Sequence, residues 1–159
     1  MAKIVTAFGT LHTPFLPEQV SNAPGQLKPE AMVNEVREHL EKAKPAVIIV
    51  FTSDHFVNFF YNHFPAFCVG VIDEAETTPE TGCNMPHHSL SGHRKMAAAL
   101  HLAALKSNFD LATAQEVKLE HTIMVPLHFI TPDMNIPIIP IYNACLAPPA
   151  PSARRWYPS

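Results

Sequence analysis

Cysteine is scarce in this sequence: three in 159 residues, Cys68, Cys83 and Cys145. The number is odd and the spacing fits no metal-binding pattern, so neither a disulfide framework nor a cysteine-rich metal site is encoded. Charge is scarce too. Lys, Arg, Asp and Glu make up 16% of the chain and sum to −3, which leaves no basic footprint for nucleic acid. No apolar run approaches the length of a transmembrane helix, so no membrane partner is expected. The opening MAKIVTAFGT lacks the apolar core and cleavage site of a signal peptide. The expected location is cytoplasmic.

What is present is apolar and rich in histidine. Hydrophobic residues reach 47% and the mean hydropathy is +0.05, which indicates a folded chain rather than a disordered one. The length suits one domain, residues 1–159, with a real core. Ten histidines in so weakly charged a chain hint at a polar site inside it.

The most informative stretch is Ala46–His55, AVIIVFTSDH. Its apolar run, Ala46 to Phe51, reads as a strand buried on both faces, as in a parallel sheet. Thr52, Ser53, Asp54 and His55 follow where that strand ends, and α/β sheets bind ligands beyond the carboxyl ends of strands. Lys3–Thr10 reads as another strand and leads directly into His12. Residues 16–28 read as a loop. Pro29 opens an amphipathic helix that presents Met32, Val33, Val36, Leu40 and Ala43 and runs to about Lys44. Ala66–Ile72 is a third strand, and Asp73–Ser91 is a long polar loop. Ser91 is placed to cap a helix over Gly92–Lys106, with Met96, Leu100, Ala103 and Ala104 facing inward. Asp110–Ala114 is a short strand, Thr122–Ile130 a short helix containing Pro126, and Ile136–Tyr142 a final buried strand. The expected fold is α/β, a mostly parallel central sheet with helices on both faces.

His12 and His55, at two strand ends, are candidate joint ligands of a metal. Imidazole suits zinc, copper, iron or nickel, and non-haem ferrous oxygenases use two histidines and a carboxylate. Asp54 reads either as a partner that fixes an imidazole tautomer or as a turn residue. His121 reads either as an acid/base group or as a capping histidine. His87, His88 and His93 are further loop histidines. Lys118, Arg154 and Arg155 are cations able to meet an anionic substrate group, or simply solvated. The aromatics of Phe56–Phe64 read as core, with one or two as alternative walls of an aromatic pocket.

Four segments in this order are shared with a known family: Ala7-Phe8-Gly9-Thr10-Leu11-His12-Thr13-Pro14, then Val50-Phe51-Thr52-Ser53-Asp54-His55, then Leu119-Glu120-His121-Thr122-Ile123-Met124-Val125-Pro126-Leu127, then Ile136 to Asn143 running on to Pro148-Pro149 and Arg154-Arg155. The chain resembles the class III extradiol ring-cleavage dioxygenases, the superfamily of the protocatechuate 4,5-dioxygenase β subunit. The resemblance implies ferrous iron (Fe2+) on His12 and His55, with His121 beside the substrate in acid/base steps. It implies cleavage of a catecholic aromatic acid by O2, and assembly as a homo- or hetero-oligomer.

The chain also departs from that family. There the third iron ligand is a glutamate, and a second active-site histidine accompanies it; both lie further along than Ser159. Thr122 stands where relatives often have glycine. Three explanations are open. The chain is a fragment; or another chain, or Glu120, Glu116 or Asp54, completes the site; or it is a paralogue that binds metal or a catechol without turnover.

Overall fold

Residues 2–80, 82–146 and 148–156 are described in the computed structural model of the chain. In chain order the elements are α1 (Leu16–Asn22), α2 (Lys28–Ala43), β1 (Ile48–Ser53), β2 (Phe67–Gly70), β3 (Glu74–Glu76), β4 (Ser89–Ser91), α3 (Arg94–Lys106), β5 (Ala112–Ala114), α4 (His121–Ile130), β6 (Ile138–Asn143) and α5 (Ala153–Trp156). Four strands form one sheet in the order β1-β6-β2-β5. β1 is parallel to β6 and β2 is parallel to β5, while β2 and β6 are antiparallel. The fold is α/β with a mostly parallel sheet, as expected.

Alternation along the strands sends side chains to two cores. Ile138 and Tyr142 of β6 and Cys68 of β2 join Val33 of α2 with Ile123 and Leu127 of α4. Ile139 and Ile141 of β6 and Val69 of β2 join Ala97 of α3 on the opposite face. β6 is buried from Ile138 to Tyr142. It contains Pro140, which donates no ladder hydrogen bond. Gly70 on the neighbouring β2 makes room for it, because a Cβ there would lie 2.7 Å from the Pro140 ring.

Five expectations are corrected. Lys3–Thr10 is no strand: residues 2–13 adopt no regular structure, and Ile4 is 86% exposed. Its apolar residues give a strand-like pattern, but a strand exists only where a ladder partner accepts it. β1 is not buried on both faces. It is an edge strand, its Ile48 and Val50 packed against the α4 core while Ile49 and Phe51 are exposed. Residues 16–22 are helical rather than loop, with Pro17 in the first turn and Leu16 buried. The long polar segment contains the antiparallel ribbon β3–β4, pinned by buried Ala75 and Leu90. Finally α3 is capped by His93, whose Nδ1 accepts from the Met96 amide, and not by Ser91.

α4 matches its pattern, whereas α2 and α3 each depart from the expected inward set at one position. α2 buries Val33 and Leu40, leaves Met32 exposed and ends at Lys44 in left-handed geometry. Ala103 of α3 is likewise exposed, whereas Met96, Leu100 and Ala104 pack inward. α4 is almost wholly buried and runs through Pro126. Arg37 of α2 donates from Nε to the Phe129 carbonyl at 2.6 Å and from its terminal nitrogen to the same oxygen, which ties the two helices together.

Candidate functional site

Three histidines from distant parts of the chain meet beyond the carboxyl end of β1. His55 lies two residues past that strand, His121 is the first residue of α4, and His12 lies in the irregular segment before α1. Ring centres are 6.0 Å apart for His12 and His55, 6.0 Å for His12 and His121, and 4.9 Å for His55 and His121. His55 and His121 are stacked, whereas His12 is tilted against both. His12 is exposed on one side, so the cluster opens to solvent there.

The backbone around the cluster is fixed by local chemistry. Asp54 is buried and accepts from the amides of Val57, Asn58 and Phe59 and from the Asn58 side chain. It is the turn residue of the two readings, holding the loop after His55 rather than touching an imidazole. Phe56 takes a positive φ of 60° in that loop. The Thr122 hydroxyl donates to the Ser53 carbonyl at 3.2 Å, which ties the start of α4 to the end of β1.

Two carboxylates grip two of the histidines in the same way. Glu120 Oε1 accepts from the His55 amide at 2.8 Å, and Oε2 lies 3.2 Å from His55 Nδ1. Glu80 Oε1 accepts from the His121 amide at 2.6 Å, and Oε2 lies 2.5 Å from His121 Nδ1. In each case one carboxylate spans the backbone and the ring of one histidine, and Glu120 Oε2 also lies 3.7 Å from His121 Nδ1. A carboxylate on Nδ1 holds that nitrogen protonated and leaves Nε2 with the free lone pair. The Glu120 side chain is fully buried, and burial pushes it up to about 7, with the Asp54 and Glu80 charges raising it further against the hydrogen bond from the His55 amide. Desolvation, then the neighbouring His121 and His55, hold His12 below its ordinary value. That favours neutral imidazole, the ligating form.

The donor set suits a divalent metal. His55, Glu120 and His121 each offer an atom within 4.8 Å of the others. An imidazole nitrogen binds such an ion at about 2.1 Å, which places two ring centres on one ion at most about 6.5 Å apart. The 6.0 Å between His12 and His55 satisfies that limit. Beside Glu80 and His121 lies a cavity of about 20 Å³, bordered by Thr78, Met85 and Met124, which is room for a water rather than an aromatic ring.

The remaining candidates lie elsewhere. Glu116 and Arg154 are exposed. Lys118 lends its backbone to Asn58. Arg155 sits 4.8 Å over the Phe109 ring. His87 lies 3.8 Å from Glu76, and His88 faces His128 across 5.9 Å. Phe59 packs edge-on to Tyr142 in the core. Glu80 had no signal in the sequence: it is one acid in a polar loop, with no spacing that points at His121.

A family model described as the catalytic LigB subunit of aromatic ring-opening dioxygenase matches residues 6–158. A protein of Pseudomonas putida named 2,3-dihydroxyphenylpropionate/2,3-dihydroxicinnamic acid 1,2-dioxygenase 2 is 30% identical over 91% of this chain and 45% of its own length. Similarly named proteins of Paraburkholderia phymatum and Photorhabdus laumondii are each 33% identical, over 79% and 80% of this chain and 39% and 41% of theirs. The chain thus spans less than half the length of these relatives. With all three histidine motifs inside the matched residues, the chain belongs to the family of the catalytic LigB subunit of aromatic ring-opening dioxygenases.

Proposed function

We propose that this single catalytic-type domain belongs to a non-haem ferrous extradiol dioxygenase, which opens the ring of a catecholic aromatic acid with O2. The observation that carries the reading is the meeting of His12, His55 and His121 in one cluster. His12 and His55 would hold Fe2+. Of the two stacked rings, the family resemblance supports His55 on the metal and His121 beside the substrate. Iron, when bound, supplies a Lewis-acid and redox centre at which catechol and dioxygen are brought together. His121 takes a hydroxyl proton from the catechol at Nε2, the ring nitrogen that Glu80 does not hold. The names of the relatives support a catechol bearing a carboxylate side chain. The reading carries with it a cytoplasmic location and an oligomeric assembly.

A second reading rests on Glu80 and Glu120. Both carboxylates nearest the cluster are already engaged with histidines. With both of these carboxylates held on histidines, the cluster would bind iron or catechol without turnover. Anaerobic loading with ferrous iron, followed by catecholic acids and air, separates the two. A yellow ring-cleavage product is the expected result. Iron uptake with no colour from any catechol would favour the binding-only reading.

A further inference from the structure

We infer that Glu80 is the positioning residue of His121, and that the loop between β3 and β4 exists in this fold to deliver it. The inference rests on the acid/base role proposed for His121, but its geometry stands by itself.

The loop is tied down at both ends. Leu119 donates its amide to the Glu76 carbonyl at 2.9 Å, and the Thr78 amide donates back to the Leu119 carbonyl at 2.8 Å. This parallel bridge lays the exit of β3 alongside the residues that lead into Glu120 and His121. At the far end, the Thr77 hydroxyl accepts from the His88 amide at 2.6 Å, and the Thr77 amide donates to the His88 carbonyl at 3.0 Å. The loop is thus closed on itself and anchored within two residues of His121. From that loop, Glu80 reaches both the amide and Nδ1 of His121.

The consequence is chemical. An ionised carboxylate has no proton to give and accepts at both oxygens. Its contact with Nδ1 therefore requires the proton on Nδ1, which leaves Nε2 as the acceptor. The amide contact also fixes the ring relative to the helix start. Glu120 meets the amide and Nδ1 of His55 with the same contact geometry. The two differ in origin. Glu120 adjoins His121 in the chain, whereas Glu80 comes from 41 residues away and depends on the ribbon and its bridge.

The substitution Glu80→Gln tests this with little change in size. If Oε1 keeps the His121 amide, the side-chain NH2 must face Nδ1. Nδ1 then has to accept, and the proton moves to Nε2. Long-range 1H–15N spectra of the metal-free protein, labelled at histidine and held above pH 8, read the tautomer directly. The wild type should show His121 protonated at Nδ1, and E80Q should shift it toward Nε2. E80D, which keeps the charge with a shorter reach, should recover part of the wild-type population. In the iron-loaded protein E80Q should lower kcat about 10- to 100-fold, with iron content unchanged and KM within about threefold. A wild-type His121 protonated at Nε2, or the same tautomer in E80Q and wild type, would overturn the inference. A lower melting temperature in E80Q with an unmoved tautomer would also overturn it. If no catechol is turned over even by wild type, the dioxygenase reading fails, while the spectra still decide the role of Glu80.

Discussion

At the scale of single residues, Glu120 is a buried acid whose ionisation burial opposes. Its side chain is fully buried, and burial raises it to about 7 from an ordinary value near 4.5. A carboxyl raised on folding binds its proton more tightly in the native state. Its contribution to stability is full below about pH 4.5 and is lost as the pH rises through about 7. The substitution Glu120→Gln removes that titration. In metal-free protein, the melting temperature of E120Q minus that of wild type should therefore increase between pH 5 and pH 8. A difference that stays flat would show that Glu120 ionises as easily as an exposed acid.

The three histidines were legible because each stands in a motif whose order along the chain is informative. Their helpers were not. Asp54 has one sequence pattern for two readings, and only the three amides it accepts from decide between them. Glu80 acts across the fold, and nothing in a sequence marks a contact that depends on the path of a distant ribbon.

At the scale of elements, periodicity recovered α2, α3, α4 and β6, where one face or all of the segment is buried. It failed where burial depends on neighbours. AVIIVF reads as a central strand, yet β1 lies at the sheet edge because β6, from the end of the chain, inserts between it and β2. KIVTAFGT reads as a strand, yet residues 2–13 adopt no regular structure. Apolar alternation says what a segment is able to bury, not what is there to bury it. The join of β4 to α3 shows a tighter constraint. Gly92 donates its amide to the Asp73 carbonyl at 2.7 Å, and a Cβ on it would lie 2.3 Å from the Ile72 carbonyl oxygen. That oxygen belongs to the backbone and has little room to retreat. Gly92→Ala should therefore cost about 1–3 kcal/mol, the usual range for overpacking, read as a lower denaturant midpoint. An unchanged midpoint would mean that the ribbon shifts freely against the sheet.

At the scale of the whole molecule, apolar side chains of the edge strand β1 and of the segment before α1 reach the surface. Ile49 and Phe51 share the outer face of β1 and are 37% and 64% exposed, and Ile4, Val5 and Phe8 are exposed as well. Exposed edge strands and apolar patches recruit partners. Light scattering on the 159-residue chain should report an oligomer, and a well-behaved monomer at high concentration would contradict this. No helix among the described residues is long and apolar enough to cross a membrane.

The account as a whole turns on the histidine cluster as a metal site with a separate acid/base group. Iron retained after anaerobic loading and dialysis tests it most directly, measured side by side on wild type, His12→Ala, His55→Ala and His121→Ala. Wild type and H121A should keep their iron. H12A and H55A should each lose most of it, because a site with so few protein ligands does not tolerate the loss of one. In turnover, H121A should fall about 10²- to 10⁴-fold, the usual loss for a general acid/base. Iron kept by H55A at the wild-type level would contradict the assignment.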